Sequence, residues 1–112
     1  MAIPTSIKTL LSGDVVEWAR IEFKETWDAA ASLKSICAFA NDLDNWGGGY
    51  IVIGVQEENG RPAYPLKGVP TDKLDAYQKN IFAKCKLLRP TYTPIIGIET
   101  YQDKQFIVIW CP

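Results

Sequence analysis

Apolar positions recur along this chain with two periods, one near 3.6 residues and one of two residues, and stretches of each kind alternate. In "IPTSIKTLLSG", Ile7, Leu10 and Leu11 fall on one helical face and Gly13 supplies a stop, which predicts a short opening helix. "ARIEFKE" switches to strict alternation, with Ile21 and Phe23 on one side and Arg20, Glu22 and Lys24 on the other. That is the signature of a half-buried strand. "DAAASLKSICAFANDL" returns to helical spacing, with Asp28 placed to cap the first turn and Leu33, Ile36, Cys37 and Ala40 as the apolar stripe. "YIVIGV" has no polar face at all, so it predicts a strand covered on both sides at the centre of a sheet.

The Gly and Pro content of "QEENGRPAYPLKGVP" reads as loop. The strongest helical pattern follows in "TDKLDAYQKNIFAKCKLLR". Thr71 is its expected cap, Leu74, Tyr77, Ile81, Cys85 and Leu88 its apolar face, Asp72 and Asp75 complement its positive end, and Lys84, Lys86 and Arg89 its negative end. "PIIGIETY" and "KQFIVIWC" flank "QD" and predict a hairpin. The order α-β-α-β-α-β-β predicts an α/β (α+β) fold. It is one domain spanning residues 1–112, with a mixed four-stranded sheet, a parallel strand–helix–strand unit, an antiparallel pair and about three packed helices.

Composition agrees with a globular core, since 47% of the residues are hydrophobic and 22% charged. The net charge of −1 excludes binding to nucleic acid through bulk charge and requires a local patch instead. Pro4 and Lys8 interrupt the opening stretch before it could act as a signal sequence, and no apolar run approaches the roughly 20 residues that span a bilayer. Cys37, Cys85 and Cys111 are odd in number and widely spaced, which predicts reduced thiols and a cytoplasmic protein with no membrane association. With no His and no paired Cys, neither a zinc site nor a His-based triad is expected. The strand "QFIVIWCP" runs apolar to the end of the sequence. This predicts a domain cut from a longer protein, its last strand available to pair with a partner's edge or with a downstream segment.

Two stretches carry candidate chemistry. The first is "NDLDNWGGGYIVIGV". Phosphate-binding loops run strand, glycines, helix, so that a helix N-terminus faces the anion. Here the glycines come after a helix and before a strand, and neither GxxxxGK[ST] nor GxGxxG occurs. Gly47, Gly48 and Gly49 therefore read either as a helix stop that lets the backbone approach the sheet, or as a place where a nucleic-acid backbone reaches N–H groups directly. Trp46 beside them reads as a lid over the helix end or as a platform for a base. The second stretch is "EWARIEFKE". Glu22 and Lys24 share a strand face, the arrangement with which metal-dependent nucleases hold a divalent ion and polarise phosphate. Glu17 and Glu57 are the further carboxylates such a site would recruit. An ordinary solvated Glu–Lys pair accounts for the same motif.

"IEFKE", "ICAFAN", "GGGYIVIGV" and "NGRP…KG", in that order, resemble the Schlafen-type AlbA-like domain, over roughly Glu17 to Pro112. The resemblance implies an AlbA-like fold and a DNA-binding role. It also implies a place at the N-terminus of bacterial RecG-like ATP-dependent DNA helicases or transcriptional regulators, with a further domain downstream. In the animal Schlafen branch three acidic residues of the domain cut RNA. Glu17 and Glu22 match two of them, and Glu57, displaced by Gln56, stands near the third. This chain departs from the family in "DLDNW", which lengthens the loop before the glycines and adds Asp42 and Asp44.

The leading expectation is a DNA- or RNA-binding module with contacts at Arg20, Lys24, Trp46, Gly47, Gly48, Gly49, Arg61 and Lys67, and no cofactor. The alternatives are a nuclease using Mg or Mn at Glu17, Glu22 and Glu57 with Lys24 as electrophile, and an interaction or homo-oligomerisation module.

Overall fold

The computed structural model describes residues 6–11, 20–40, 48–88 and 92–112, and of Arg20 the backbone alone. Helix α1 (Ile7–Leu11) leads to strand β1 (Arg20–Lys24), helix α2 (Ala29–Ala40) and strand β2 (Gly49–Ile53). Two very short strands, β3 (Glu57–Glu58) and β4 (Arg61–Pro62), precede helix α3 (Thr71–Cys85). The hairpin of β5 (Ile95–Tyr101) and β6 (Lys104–Cys111) completes the order. The main sheet runs β1-β2-β6-β5. As expected, β1 and β2 are parallel and β5 and β6 antiparallel, and the fold is the mixed four-stranded α+β type read from the sequence.

The alternation along each strand divides the core in two. Ile51 and Ile53 of β2 and Ile107, Ile109 and Cys111 of β6 face α2 and α3, where they join Ile36, Phe39, Leu74, Ile81 and Cys85. Val52, Phe106 and Val108 face the other way, onto Phe23, Leu66 and the Ile7, Leu10 and Leu11 stripe of α1. The two central strands are therefore covered on both faces, as their unbroken apolar sequences require.

Four expectations need correction. The "KQFIVIWC" strand is not an edge: β6 is inserted between β2 and β5 and bonded to both, so it has no free ladder for a partner. The stretch read as loop contains a two-stranded ribbon, β3 with β4, closed by Asn59 and Gly60 at φ 53 and 78. Those left-handed angles suit an Asn-Gly turn. Pro70, not Thr71, occupies the cap of α3, which has no side-chain cap bond. The buried face of α2 comprises Ser32, Ile36 and Phe39, with Leu33 packed beside them, rather than Leu33, Ile36, Cys37 and Ala40. Asp28 caps α2 as predicted, its Oδ1 accepting from the Ala31 amide at 3.3 Å.

Candidate nucleic-acid interface

Register places the candidate residues at two opposite ends of the sheet. Arg20 pairs with Gly49 at one end of the β1–β2 ladder and Lys24 with Ile53 at the other. Five strand residues separate these ends by about 13 Å at a rise near 3.3 Å per residue.

Close packing dominates the glycine end. Gly48 and Gly49 are buried. A Cβ on Gly49 would lie 2.5 Å from the Phe39 ring, and one on Gly48, at φ +81, would lie 1.6 Å from the Cys111 carbonyl oxygen. The space left by these glycines is thus filled by the protein itself: the Phe39 ring of α2 over Gly49 and the backbone at the end of β6 over Gly48. Glu17, Trp46 and Gly47 lie outside the described residues.

The opposite end, past the carboxyl termini of the two parallel strands, is built from polar chain. Ligands of open α/β sheets are commonly held beyond such strand ends. The Lys24 carbonyl accepts from the amides of Gly54 and Val55, at 2.7 and 3.1 Å, which turns the chain sharply out of β2. The β3–β4 ribbon follows, carrying exposed Glu57, Glu58 and Arg61. The loop into α3 then returns, with the Gly68 amide donating to the Gly54 carbonyl at 2.8 Å. Lys67 on that loop reaches back to β1's flank, its ammonium 2.7 Å from Glu25 Oε1.

Glu22 projects towards α2, and its Oε2 accepts from the Ser35 hydroxyl at 2.5 Å. Lys24 Nζ stands 3.9 Å from the same oxygen, with both side chains about a third exposed (31% and 40%), so the ion pair itself contributes little. Among the described residues no three of His, Cys, Asp or Glu are grouped so as to hold a metal ion. Glu22 and Glu57 are both described, whereas Glu17 is not.

A family profile described as Schlafen, AlbA_2 matches residues 17–112. The chain belongs to the Schlafen AlbA_2 family. The four ordered motifs that suggested this family thus fall within the matched range. Among solved structures, this AlbA_2 domain is similar to one determined in solution, the N-terminal domain of a Nitrosomonas europaea RecG-related protein named for ATP-dependent DNA helicases. The two are 30% identical with a TM-score of 0.75, over 96% of this chain and 73% of that one. It also shares its fold with the DIP2311 protein of Corynebacterium diphtheriae, at 17% identity and TM-score 0.55, over 94% of this chain and 21% of that one. No curated protein sequence gives a significant match.

In this AlbA_2 domain the structure brings Lys24, Glu57, Arg61 and Lys67 to the strand-terminus end of the sheet and leaves Arg20, Gly48 and Gly49 at the other. Sequence reasoning missed Ser35 as the partner of Glu22, although a second serine on an alanine-rich helix was a visible signal. It also missed Lys104 and Gln105, which only the antiparallel pairing of β6 carries to the same end as Lys24.

Proposed function

We propose that this domain is a nucleic-acid-binding module, with DNA as the first substrate class to test, that serves a larger bacterial regulator or helicase-related protein. The observation that carries the reading is the family membership, joined to 30% identity over nearly the whole chain with the N-terminal domain of a protein named for DNA helicases. The binding face lies beyond the carboxyl ends of β1 and β2, where Lys24, Arg61 and Lys67 surround a polar, backbone-bonded loop.

Phosphate contacts supply the affinity, because the basic side chains of this face sit on strands and a loop rather than on a helix that could enter a groove. With Lys67 and Lys24 both beside carboxylates, the surface is nearly neutral in the free protein, in keeping with a chain of net charge −1. Affinity is then modest and steeply dependent on salt. Three phosphate contacts correspond to a roughly 20- to 40-fold loss between 50 and 200 mM monovalent salt.

Fluorescence anisotropy with labelled single- and double-stranded DNA and RNA, at both salt concentrations, tests this. The expected result is binding at low salt that decays with that slope. Absence of binding to all four nucleic acids at low salt sinks the proposal.

A further inference from the structure

Where the β5–β6 hairpin meets the loop into α3, the surface opens into a cleft of about 480 Å³, lined by Lys67–Thr71, Thr100 and Asp103–Gln105. That volume lies in the range of small-ligand sites. Its floor is fixed by backbone bonds to the turn just after β2 and to β6: Gly68 N–H to the Gly54 carbonyl at 2.8 Å, and Val69 N–H to the Gln105 carbonyl at 2.7 Å. Gly68, at φ +74, comes so near β6 that a Cβ would lie 2.9 Å from that of Lys104. The cleft is thus rigid before any ligand arrives, which lowers the ordering cost of binding.

The lining is chosen for an anion. Lys67 comes from the loop and Lys104 from the start of β6, and exposed Thr71 and Thr100 add hydroxyl donors. Asp103 is the one carboxylate in the lining against the two lysines, and Glu25, just outside it, offsets Lys67 until an anion displaces that carboxylate. In the same wall the buried Gln105 Oε1 has no hydrogen-bond partner. A nucleic-acid strand carries donors beside its phosphates, base N–H groups and in RNA the ribose 2′-hydroxyl, of the kind such an acceptor takes.

We propose that this cleft holds one backbone phosphate of a bound nucleic-acid strand, with Lys67 and Lys104 supplying the charge and Thr71 and Thr100 the hydroxyl donors. The inference rests on the nucleic-acid reading above and assigns it a phosphate subsite. Lys67 is shared: its ammonium is 2.7 Å from Glu25 Oε1 in the free protein, so the phosphate competes with that carboxylate. Removing the competing charge strengthens binding, and by more than removing a carboxylate elsewhere on the surface does.

The test is an amide chemical-shift titration of the ¹⁵N-labelled domain with a single-stranded DNA 12-mer, an RNA 12-mer and inorganic phosphate, alongside anisotropy on variants. The expected result is shifts centred on Gly68, Val69, Thr71 and Gln105 with the strands. Lys104→Gln should weaken strand binding about tenfold and lower the salt slope by about one. Glu25→Gln should tighten it several-fold. Lys79→Gln, which alters an exposed pair with Asp75 on α3, should leave affinity within about twofold. If Lys104→Gln and Lys67→Gln both bind with wild-type affinity and slope, the cleft is overturned while the nucleic-acid reading stands on another surface. If inorganic phosphate shifts the cleft amides but neither strand does, the nucleic acid is overturned as its occupant.

Discussion

Two adjacent glycines show how a single atom can decide a residue's identity. Gly48 and Gly49 have no room for a methyl group, one against the Cys111 carbonyl and the other against the Phe39 ring. At Gly48 the left-handed φ of +81 adds its own penalty for any L side chain. Gly48→Ala should therefore cost about 3 kcal/mol or more, combining overpacking with backbone strain. Gly49→Ala should cost about 1–3 kcal/mol, because the Phe39 ring can shift where a backbone carbonyl cannot. Urea denaturation midpoints give both values, and a Gly48→Ala domain as stable as wild type would contradict the packing described. The Ser35–Glu22 bond makes a second residue-scale case. Ser35→Ala should cost about 1–2 kcal/mol, since the bond is to a charged acceptor at a partly buried site.

Elements were legible in the sequence to the degree that their own periodicity determined them. The α3 face Leu74, Tyr77, Ile81, Cys85 and Leu88 agrees with its periodicity because every member packs into one core cluster shared with α2 and the central strands. The face of α2 was read with the wrong edge. Its register is set by Phe39 closing over Gly49, a contact between residues that the local pattern treats independently. The β3–β4 ribbon escaped because two-residue strands, one of them containing Pro62, show no period, and only Asn59-Gly60 marked it. For the site, the residue types were legible but their division between two ends of the sheet was not, because that depends on strand pairing.

The "QD" turn was legible, and it retains a correctable strain. Gln102 and Asp103 hold φ of 52 and 62, angles better suited to Asn and Gly. The double substitution Gln102→Asn, Asp103→Gly should raise stability by about 1 kcal/mol, measurable as a higher thermal midpoint.

At the scale of the whole molecule, the two buried cysteines, Cys85 and Cys111, and Tyr92 link stability to alkaline pH. Burial pushes the Cys111 thiol up to about 12 from an ordinary 9.0, with Cys85 adding to the shift. Burial likewise raises Cys85, with Cys37 contributing. Tyr92, whose hydroxyl donates to the Pro112 carbonyl at 3.0 Å, rises to about 12 from 10.0 through burial and then the two thiols. The folded state binds these protons more tightly than the unfolded state. Their stabilising contribution is therefore complete below pH 9 and is lost progressively between pH 9 and about 12. Denaturation midpoints should fall as pH rises through that window, and Cys111→Ala should flatten the fall. An equally steep decline in that variant would assign the effect to other groups. At neutral pH the buried thiols stay protonated and should react slowly with alkylating agents.

The place of β6 also bears on the order in which the chain comes into being. The strand synthesised after all the others described lies between β2 and β5, where it completes both halves of the core. On the ribosome, α1, β1, α2, β2 and α3 must wait, with one side of β2 unpaired, until Lys104–Cys111 has left the exit tunnel. Because β5 pairs with β6 alone, the sheet is completed when the β5–β6 hairpin docks on β2 rather than strand by strand from the N-terminus. Meanwhile, the apolar flank of "YIVIGV" is what a chaperone would meet.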